Sequence, residues 1–143
     1  MKLSYYLHFN GTCLQALQFY KNCLGGEIKG LQTFGQSPMP AAGETKDKIM
    51  HAEFHLPNGE VIMASDSMPD QQVVQGTNFA MSLNFTDVAE QKLAFERISS
   101  GGTISMPLQD TFWGARFGMC TDPFGIRWMF NCTLPQHNST IAS

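Results

Sequence analysis

The sequence predicts an α+β fold made of two tandem β-α-β-β-β modules, and an internal repeat is the main reason. Residues 7–28 and 83–104 align without a gap at an offset of 76, and eight of the 22 aligned positions are identical. Average residue usage would give about one or two such matches by chance. Each copy is followed by a hairpin pattern, which completes the module.

Each copy of the repeat predicts a strand followed by a helix. Leu7 and Phe9 alternate with polar residues, as in a strand, and apolar residues then recur at helical spacing. Thr12 with Gln15 predicts a capping box at the start of the first helix. In the second copy Asp87 is the predicted cap, and a Gly-Gly pair ends each helix.

The hairpins complete the modules and set their limits. Predicted strands 49–56 and 60–65 flank Pro57-Asn58-Gly59, and strands 111–121 and 126–131 flank a turn that contains Pro123-Phe124-Gly125. Residues 1–132 are therefore predicted to form a single domain with module one at about 1–66 and module two at about 78–132. Residues 133–143 have little apolar content and are predicted to be a mobile tail.

Composition excludes several classes of function. The chain has 143 residues, nine Lys and Arg, twelve Asp and Glu, and a net charge of −3, so no basic footprint for nucleic acid is expected. No apolar run is long enough to span a bilayer, and no secretory signal is evident, which predicts a cytoplasmic protein without a membrane partner. The four cysteines lack metal-binding spacing and are predicted to be buried and reduced.

Strand alternation predicts which residues line the sheet face away from each helix. A two-residue Asn58-Gly59 turn would place Phe54 beside Met63, and a four-residue loop would place Arg116 opposite Asn131. An apolar wall with sparse polar groups is typical of a small-molecule site. The predicted ligand-binding residues are Tyr6, His8, Met63, Ser65, Ser82, Asn84, Arg116, Arg127, Met129 and Asn131.

Several of these residues have more than one interpretation. His8 is either a general base or a polar residue of the lining, and Arg116 either clamps an anion or lies in water at the rim. Met63 and Met129 form either an adaptable ligand wall or ordinary core. The array His51-x-Glu53-x-His55 invites a metal, but the predicted pairing leaves it on the outer, solvated face.

Five sequence blocks occur in order along the chain. They are Phe9-Asn10-Gly11-Thr12-Cys13, residues 46–52, Met63-Ala64-Ser65-Asp66, Met106-Pro107-Leu108-Gln109 and residues 111–119. With these blocks the chain resembles, over essentially residues 1–132, the PhnB-like branch of the vicinal oxygen chelate superfamily, which includes glyoxalase I, bleomycin-resistance proteins and extradiol dioxygenases. The resemblance implies a cup-shaped mixed sheet with the helices outside, and a homodimer.

The resemblance also implies where a metal would bind in catalytic relatives. Their four His or Glu ligand positions correspond here to Ser4 or Tyr5, to Met63, to Ala80 or Met81, and to Met129. None of these side chains suits a hard or borderline cation, so no metal and no cofactor is predicted.

Three functions are consistent with the sequence. The first is a small-molecule-binding protein without the usual metal. The second is a lyase-like or dioxygenase-like enzyme of the same superfamily that uses His8, Arg116 or an unforeseen metal site. The third is a dimeric scaffold with a vestigial pocket. Whether the protein is an enzyme is not decided by the sequence.

Overall fold

The computed structural model describes residues 1–37 and 43–135 and divides into two compact units, Met1–Val74 and Gln75–Ser143. Among the described residues, each unit contains one α-helix and one four-stranded mixed sheet. The predicted α+β fold of two β-α-β-β-β modules is confirmed. Most of the predicted tail, residues 136–143, lies outside the described part of the chain.

The first unit has the strand order β1-β4-β3-β2, in which β1 and β4 are parallel and the other pairs are antiparallel. Two short 3-10 turns, Phe34–Gln36 and Gly43–Asp47, lie between its second and third strands. Its elements in chain order are β1 (Tyr5–Phe9), α1 (Cys13–Leu24), β2 (Glu27–Thr33), β3 (Ile49–His55) and β4 (Val61–Asp66).

The second unit repeats this topology with the strand order β5-β8-β7-β6. Its elements are β5 (Met81–Phe85), α2 (Val88–Ser99), β6 (Thr103–Asp110), β7 (Ala115–Thr121) and β8 (Arg127–Thr133). No helix in the described ranges is long and apolar enough to cross a membrane.

Each helix packs on one face of its own sheet and forms a core there. In the first unit, Phe54 of β3 is fully buried and its ring lies 6.4 Å from that of Tyr20 on α1. In the second unit, Phe130 of β8 is fully buried and its ring meets Phe95 of α2 edge-on at 5.1 Å. Burial of such aromatic side chains is a main source of folding free energy.

The glycine pair that ends each helix has a steric reason in both units. A Cβ on Gly26 would overlap the carbonyl oxygen of His55, and a Cβ on Gly102 would overlap the carbonyl oxygen of Thr121. Both glycines lie where the chain leaves the helix to pair with the next hairpin. The repeat therefore preserves glycine because any side chain would push the strand away from its partner.

The predicted strand register is wrong by one residue in both hairpins. The sequence predicted a two-residue turn in the first hairpin and a four-residue loop in the second, whereas both turns have three residues. In the first unit the amide of Leu56 donates to the carbonyl of Glu60, which leaves residues 57–59 as the turn. In the second, Asp122 pairs with Ile126 in the same way around residues 123–125. Gly59 and Gly125 have φ values of 94° and 91°, as a three-residue turn with a left-handed last residue requires.

This shift moves a whole set of side chains to the other sheet face, because side chains alternate along a strand. Phe54 pairs with Ile62 instead of Met63, and Met63 pairs with Glu53. In the second unit, Gly118 pairs with Phe130, and Met119 pairs with Met129. Ala52 and Phe54 therefore face the helix core, contrary to the prediction.

The predicted capping box at Thr12 is also wrong. Thr12 is the N-cap of α1, but its side chain makes no capping hydrogen bond. The buried carboxylate of Asp66, at the end of β4, accepts hydrogen bonds from the amides of Cys13 and Ile49 at 2.9 Å each. Asp87 caps α2 as predicted, and accepts from the amide of Ala89 at 3.1 Å.

Candidate functional site

The helix-free face of the first sheet groups histidine, tyrosine and glutamate side chains from neighbouring strands. The strand register places residues of β1, β4 and β3 side by side: Tyr6 beside Met63, His8 beside Ser65, and Glu53 beside Met63. We call this surface the first open face. Its residues are Tyr6, His8, His51, Glu53, His55, Met63 and Ser65. Three of the chain's four histidines therefore share one surface.

A line of polar contacts runs across the first open face from β1 to β3. The Tyr6 hydroxyl lies 2.9 Å from Nδ1 of His51. Nε2 of His51 lies 3.8 Å from Oε2 of Glu53, and Nε2 of His55 lies 2.8 Å from Oε1 of the same carboxylate. Because an ionised carboxylate only accepts hydrogen bonds, His55 is the donor in the shorter contact.

The charge state of Glu53 follows from these neighbours. The hydrogen bond from His55 is the main reason that the pKa of Glu53 is lowered, and the positive charge available on His55 and His51 lowers it further. Glu53 is therefore ionised at neutral pH. An ionised carboxylate beside His51 favours the imidazole tautomer with a proton on Nε2, which leaves Nδ1 free to accept from Tyr6.

His8 lies at the edge of this line and borders a cavity. Its ring stacks on Tyr6 with centroids 5.0 Å apart, and its Nδ1 lies 3.3 Å from Oγ of Ser65. A cavity of about 410 Å³ is lined by His8, Ser65 and the segment from Asp66 to Val73. No carboxylate contact to His8 is recorded among the described residues, so its ring is oriented by a hydroxyl and an aromatic neighbour.

The sequence placed four of these residues on the helix-free face correctly and three wrongly. Tyr6, His8, Met63 and Ser65 lie together on the first open face, as predicted. The array His51, Glu53 and His55 lies on the same face, not on the outer one, because of the one-residue register shift. The Pro-x-Gly sequence that both turns share is the signal that would have given the correct turn length.

The second sheet also has a helix-free face, and its side chains are more apolar than those of the first open face. We call it the second open face. Its residues are Ser82, Asn84, Phe117, Met119, Arg127, Met129 and Asn131. Asn131 donates to Asn84 at 3.4 Å, Arg127 donates to the carbonyl oxygen of Thr77, and the ring of Phe117 lies 6.4 Å from that of Trp113.

Five of the six residues predicted for the second module lie on this face, and Arg116 does not. Arg116 pairs with Cys132 and faces the side of the sheet that carries α2. Its backbone carbonyl accepts a hydrogen bond from the buried Gln91 side chain of α2, and its guanidinium lies 3.4 Å from Asp110. Phe117 and Met119, the neighbours of Arg116 and Gly118 along β7, lie on the open face instead.

The metal centre of catalytic relatives does not fit the side chains present here. Met63 and Met129 occupy two of the four inherited ligand positions, and their nearest sheet partners on the open faces include Tyr6 and Ser82. Thioethers bind soft ions and are poor ligands for the cations that imidazole and carboxylate hold. Within residues 1–37 and 43–135, no group of three or more His, Cys, Asp or Glu side chains is arranged to hold a metal.

Comparison with known proteins agrees with this architecture. The family model of the glyoxalase/bleomycin resistance protein/dioxygenase superfamily matches residues 2–130. Protein YjdN of Escherichia coli is 33% identical over 146 residues, which cover 95% of this chain and 98% of YjdN.

Two solved structures are similar in fold. Protein PA1353 from Pseudomonas aeruginosa is 41% identical with a TM-score of 0.85, covering 94% of this chain and 99% of that one. A PhnB protein from Bacillus cereus is 23% identical with a TM-score of 0.78, covering 92% and 99%. The resemblance seen in the sequence is thereby confirmed, and the chain belongs to the glyoxalase/bleomycin resistance protein/dioxygenase superfamily.

Proposed function

We propose that this protein binds a small, partly apolar molecule on the first open face. The observation that carries the proposal is the grouping of Tyr6, His8 and Ser65 around Met63, beside a cavity of about 410 Å³. Polar groups that are held in place by their neighbours, next to an apolar side chain and a cavity, are features of a small-molecule site. The thioether of Met63 adapts its shape to different ligands.

The second open face supports the same function with a more apolar surface. Phe117, Met119 and Met129 supply the apolar contacts, and Asn84 and Asn131 supply amide groups that can orient a ligand. Ser82 and Arg127 remain predicted ligand contacts of this face. Arg116 is left out of the proposal, because its side chain faces α2 and pairs with Asp110.

A thermal-shift screen of small aromatic ketones, acids and phenols tests the proposal. A ligand present at one hundred times its dissociation constant stabilises the folded protein by about 2.7 kcal/mol, which is readily measured. Met63→Ala is expected to weaken the binding of every compound that binds to the first open face. Leu93→Ala, at an exposed apolar position of α2, is the matched control and should leave binding unchanged.

Two results would contradict the proposal. One is a complete screen without a single stabilising compound, which would favour the scaffold interpretation. The other is a set of compounds that stabilise the wild type and Met63→Ala equally.

The predicted homodimer and cytoplasmic location stay predictions. Sedimentation of the purified protein would test the first, and fractionation of cells would test the second.

A further inference from the structure

The first open face holds three acid–base groups in line, beyond what ligand binding requires. The Glu53 carboxylate lies 3.8 Å from Nε2 of His51, and Nδ1 of the same ring lies 2.9 Å from the Tyr6 hydroxyl. The first distance is too long for a direct hydrogen bond but close enough for the carboxylate to act electrostatically on the imidazole, and the second is that of a hydrogen bond. A carboxylate, an imidazole and a hydroxyl in this order form the arrangement that activates a hydroxyl as a base.

We propose that Tyr6, His51 and Glu53 form a proton relay that removes and returns a proton at a carbon atom beside a ligand's carbonyl group. This inference rests on the proposed binding of small molecules to the first open face. Tyr6 is assigned as the catalytic residue because its hydroxyl stands at the end of the line and the residue is exposed to solvent. His51 and Glu53 are positioning residues that act through it.

The step balances without a co-reactant. The Tyr6 oxygen takes the proton from the carbon atom as its own proton passes to Nδ1 of His51. The electron pair of the broken C–H bond forms the carbon–carbon double bond of an enolate, whose negative charge rests on the former carbonyl oxygen. Return of a proton from Tyr6 to carbon restores the ketone, and in D₂O the returned particle is a deuteron.

The neighbouring groups supply what the enolate needs. Ser65 and His8 lie together on the same face with Oγ and Nδ1 3.3 Å apart, and this pair leaves one donor for an oxygen anion: Nε2–H of His8 when Ser65 donates to Nδ1, or the Ser65 hydroxyl when Nδ1 carries the proton. Glu53 stabilises the positive charge that develops on His51 when it takes the tyrosine proton. His8 itself has no carboxylate contact among the described residues, which is why the relay is assigned to His51.

The charges of the face indicate the class of ligand. Lys29 of β2 pairs with Glu53 of β3 in the strand register, and its Nζ already lies 3.8 Å from the carboxylate of Glu27. Among the strand residues described for this sheet, no other lysine or arginine pairs into this face, so a carboxylate ligand would meet the negative charge of Glu53 without a free lysine to balance it. The inferred substrate is an uncharged ketone or aldehyde with an apolar group and an acidic C–H bond beside the carbonyl.

Deuterium exchange of two matched ketones tests the relay. Phenylacetone is uncharged, and phenylpyruvate carries a carboxylate at the same place. The protein is incubated with each in D₂O, and loss of the benzylic proton signal is followed by NMR while binding is measured by thermal shift. Phenylacetone is expected to exchange faster with protein than without, and by a larger factor than phenylpyruvate.

Tyr6→Phe is expected to lower the protein-dependent exchange rate by about 100-fold or more, the usual contribution of a positioned acid–base group. His51→Gln should do the same, and both variants should still bind phenylacetone. Tyr5→Phe is the matched control, since Tyr5 is the adjacent tyrosine and pairs with Ile62 on the helix side of β1.

The Glu53→Gln variant tests whether Glu53 acts on His51 during proton transfer or only stabilises the fold. The titratable and charged groups that face the relay are Tyr6 and His8 from β1, His51 and His55 from β3, and Glu27 and Lys29 from β2. Removing the negative charge should shift the pH profile of exchange, because the charge that develops on His51 during proton transfer then has no carboxylate beside it. Glu60→Gln, in the β3–β4 turn, should leave the profile unchanged.

Each outcome decides between the two proposals. Binding of phenylacetone without faster exchange, or equal exchange by Tyr6→Phe and wild type, overturns the relay and leaves the binding function standing. Failure of both ketones to bind overturns the relay together with the binding of carbonyl compounds. Exchange of phenylpyruvate alone overturns the inferred preference for an uncharged ligand.

Discussion

The two units share one topology but stabilise their helix N-termini with different residues. In the second unit, Asp87 directly precedes α2 and caps it from within the local sequence. In the first unit, Thr12 stands at the same place without a capping bond, and Asp66 reaches α1 from the end of β4. At the position that matches Asp66, the second unit has Cys132 at the end of β8.

The difference shows that a repeat preserves a requirement more strictly than it preserves the residue that meets it. The first amides of a helix need acceptors in both units. Once Asp87 provides a local acceptor, the end of β8 is free to be apolar. The buried Asp66 also accepts from Ile49, so it joins α1 to the start of β3 as well.

The largest expected effect is that of Asp66→Ala on stability. The substitution removes two hydrogen bonds to a charged acceptor and leaves the amides of Cys13 and Ile49 without it. At about 1.5–3 kcal/mol for each of the two bonds, the free energy of unfolding should fall by roughly 3–6 kcal/mol in urea denaturation. Asp70→Ala, an exposed aspartate four residues later, is the control and should be nearly neutral.

Gly118→Ala is expected to cost less, about 1–3 kcal/mol of unfolding free energy, through overpacking. A Cβ at Gly118 would lie 2.9 Å from Leu108 and 3.0 Å from Phe95 of α2. The matching position in the first unit is Ala52, which already carries this methyl group. Gly76→Ala is the control in a loop, and a neutral result for Gly118→Ala would mean that this residue faces away from the helix.

The local cap of α2 should contribute about 1 kcal/mol, the usual cost of replacing a capping aspartate by alanine. Asp87→Ala is therefore expected to lower the free energy of unfolding by that amount. Thr12→Ala should change it by less than about 0.5 kcal/mol, because the Thr12 side chain makes no capping bond. Equal losses from the two variants would show that both helices are capped locally.

The cysteines should show no difference between the units. Burial is the main reason that the pKa of Cys13 in the first unit and of Cys120 in the second rises from 9.0 to about 12. Because both are raised above the unfolded value, their contribution to stability is complete below pH 9 and is lost as the pH rises toward 12. In thiol labelling at pH 8, neither the Cys13 nor the Cys120 thiol should react in the folded protein, and both should react in denaturant.

The helices and strands were predicted well from the sequence because the same strand and helix periodicity occurs in both copies of the repeat. It predicted the strand faces poorly because register depends on turn length, and one residue reverses every side chain. Asn58-Gly59 suggested a two-residue turn, whereas the hydrogen bond from Leu56 to Glu60 encloses three residues. The extra residue moved His51 and Glu53 onto the first open face, and a one-residue error in the second turn, residues 123–125, removed Arg116 from the second open face.

The cap of α1 could not be found from local sequence either, because its acceptor comes from a strand more than fifty residues later. The capping-box pattern of Thr12 and Gln15 is present, yet the Thr12 side chain makes no capping bond. Long-range contacts of this kind depend on the tertiary fold, and a single sequence does not encode them in its spacing.

The most direct test of the central claim is the imidazole nitrogen spectrum of His51 in labelled protein. If His51 and Tyr6 share the first open face, Tyr6→Phe removes the donor to Nδ1 and should shift that nitrogen signal clearly, while Tyr5→Phe leaves it in place. A His51 signal that is the same in wild type and Tyr6→Phe would contradict the placement of the array on this face.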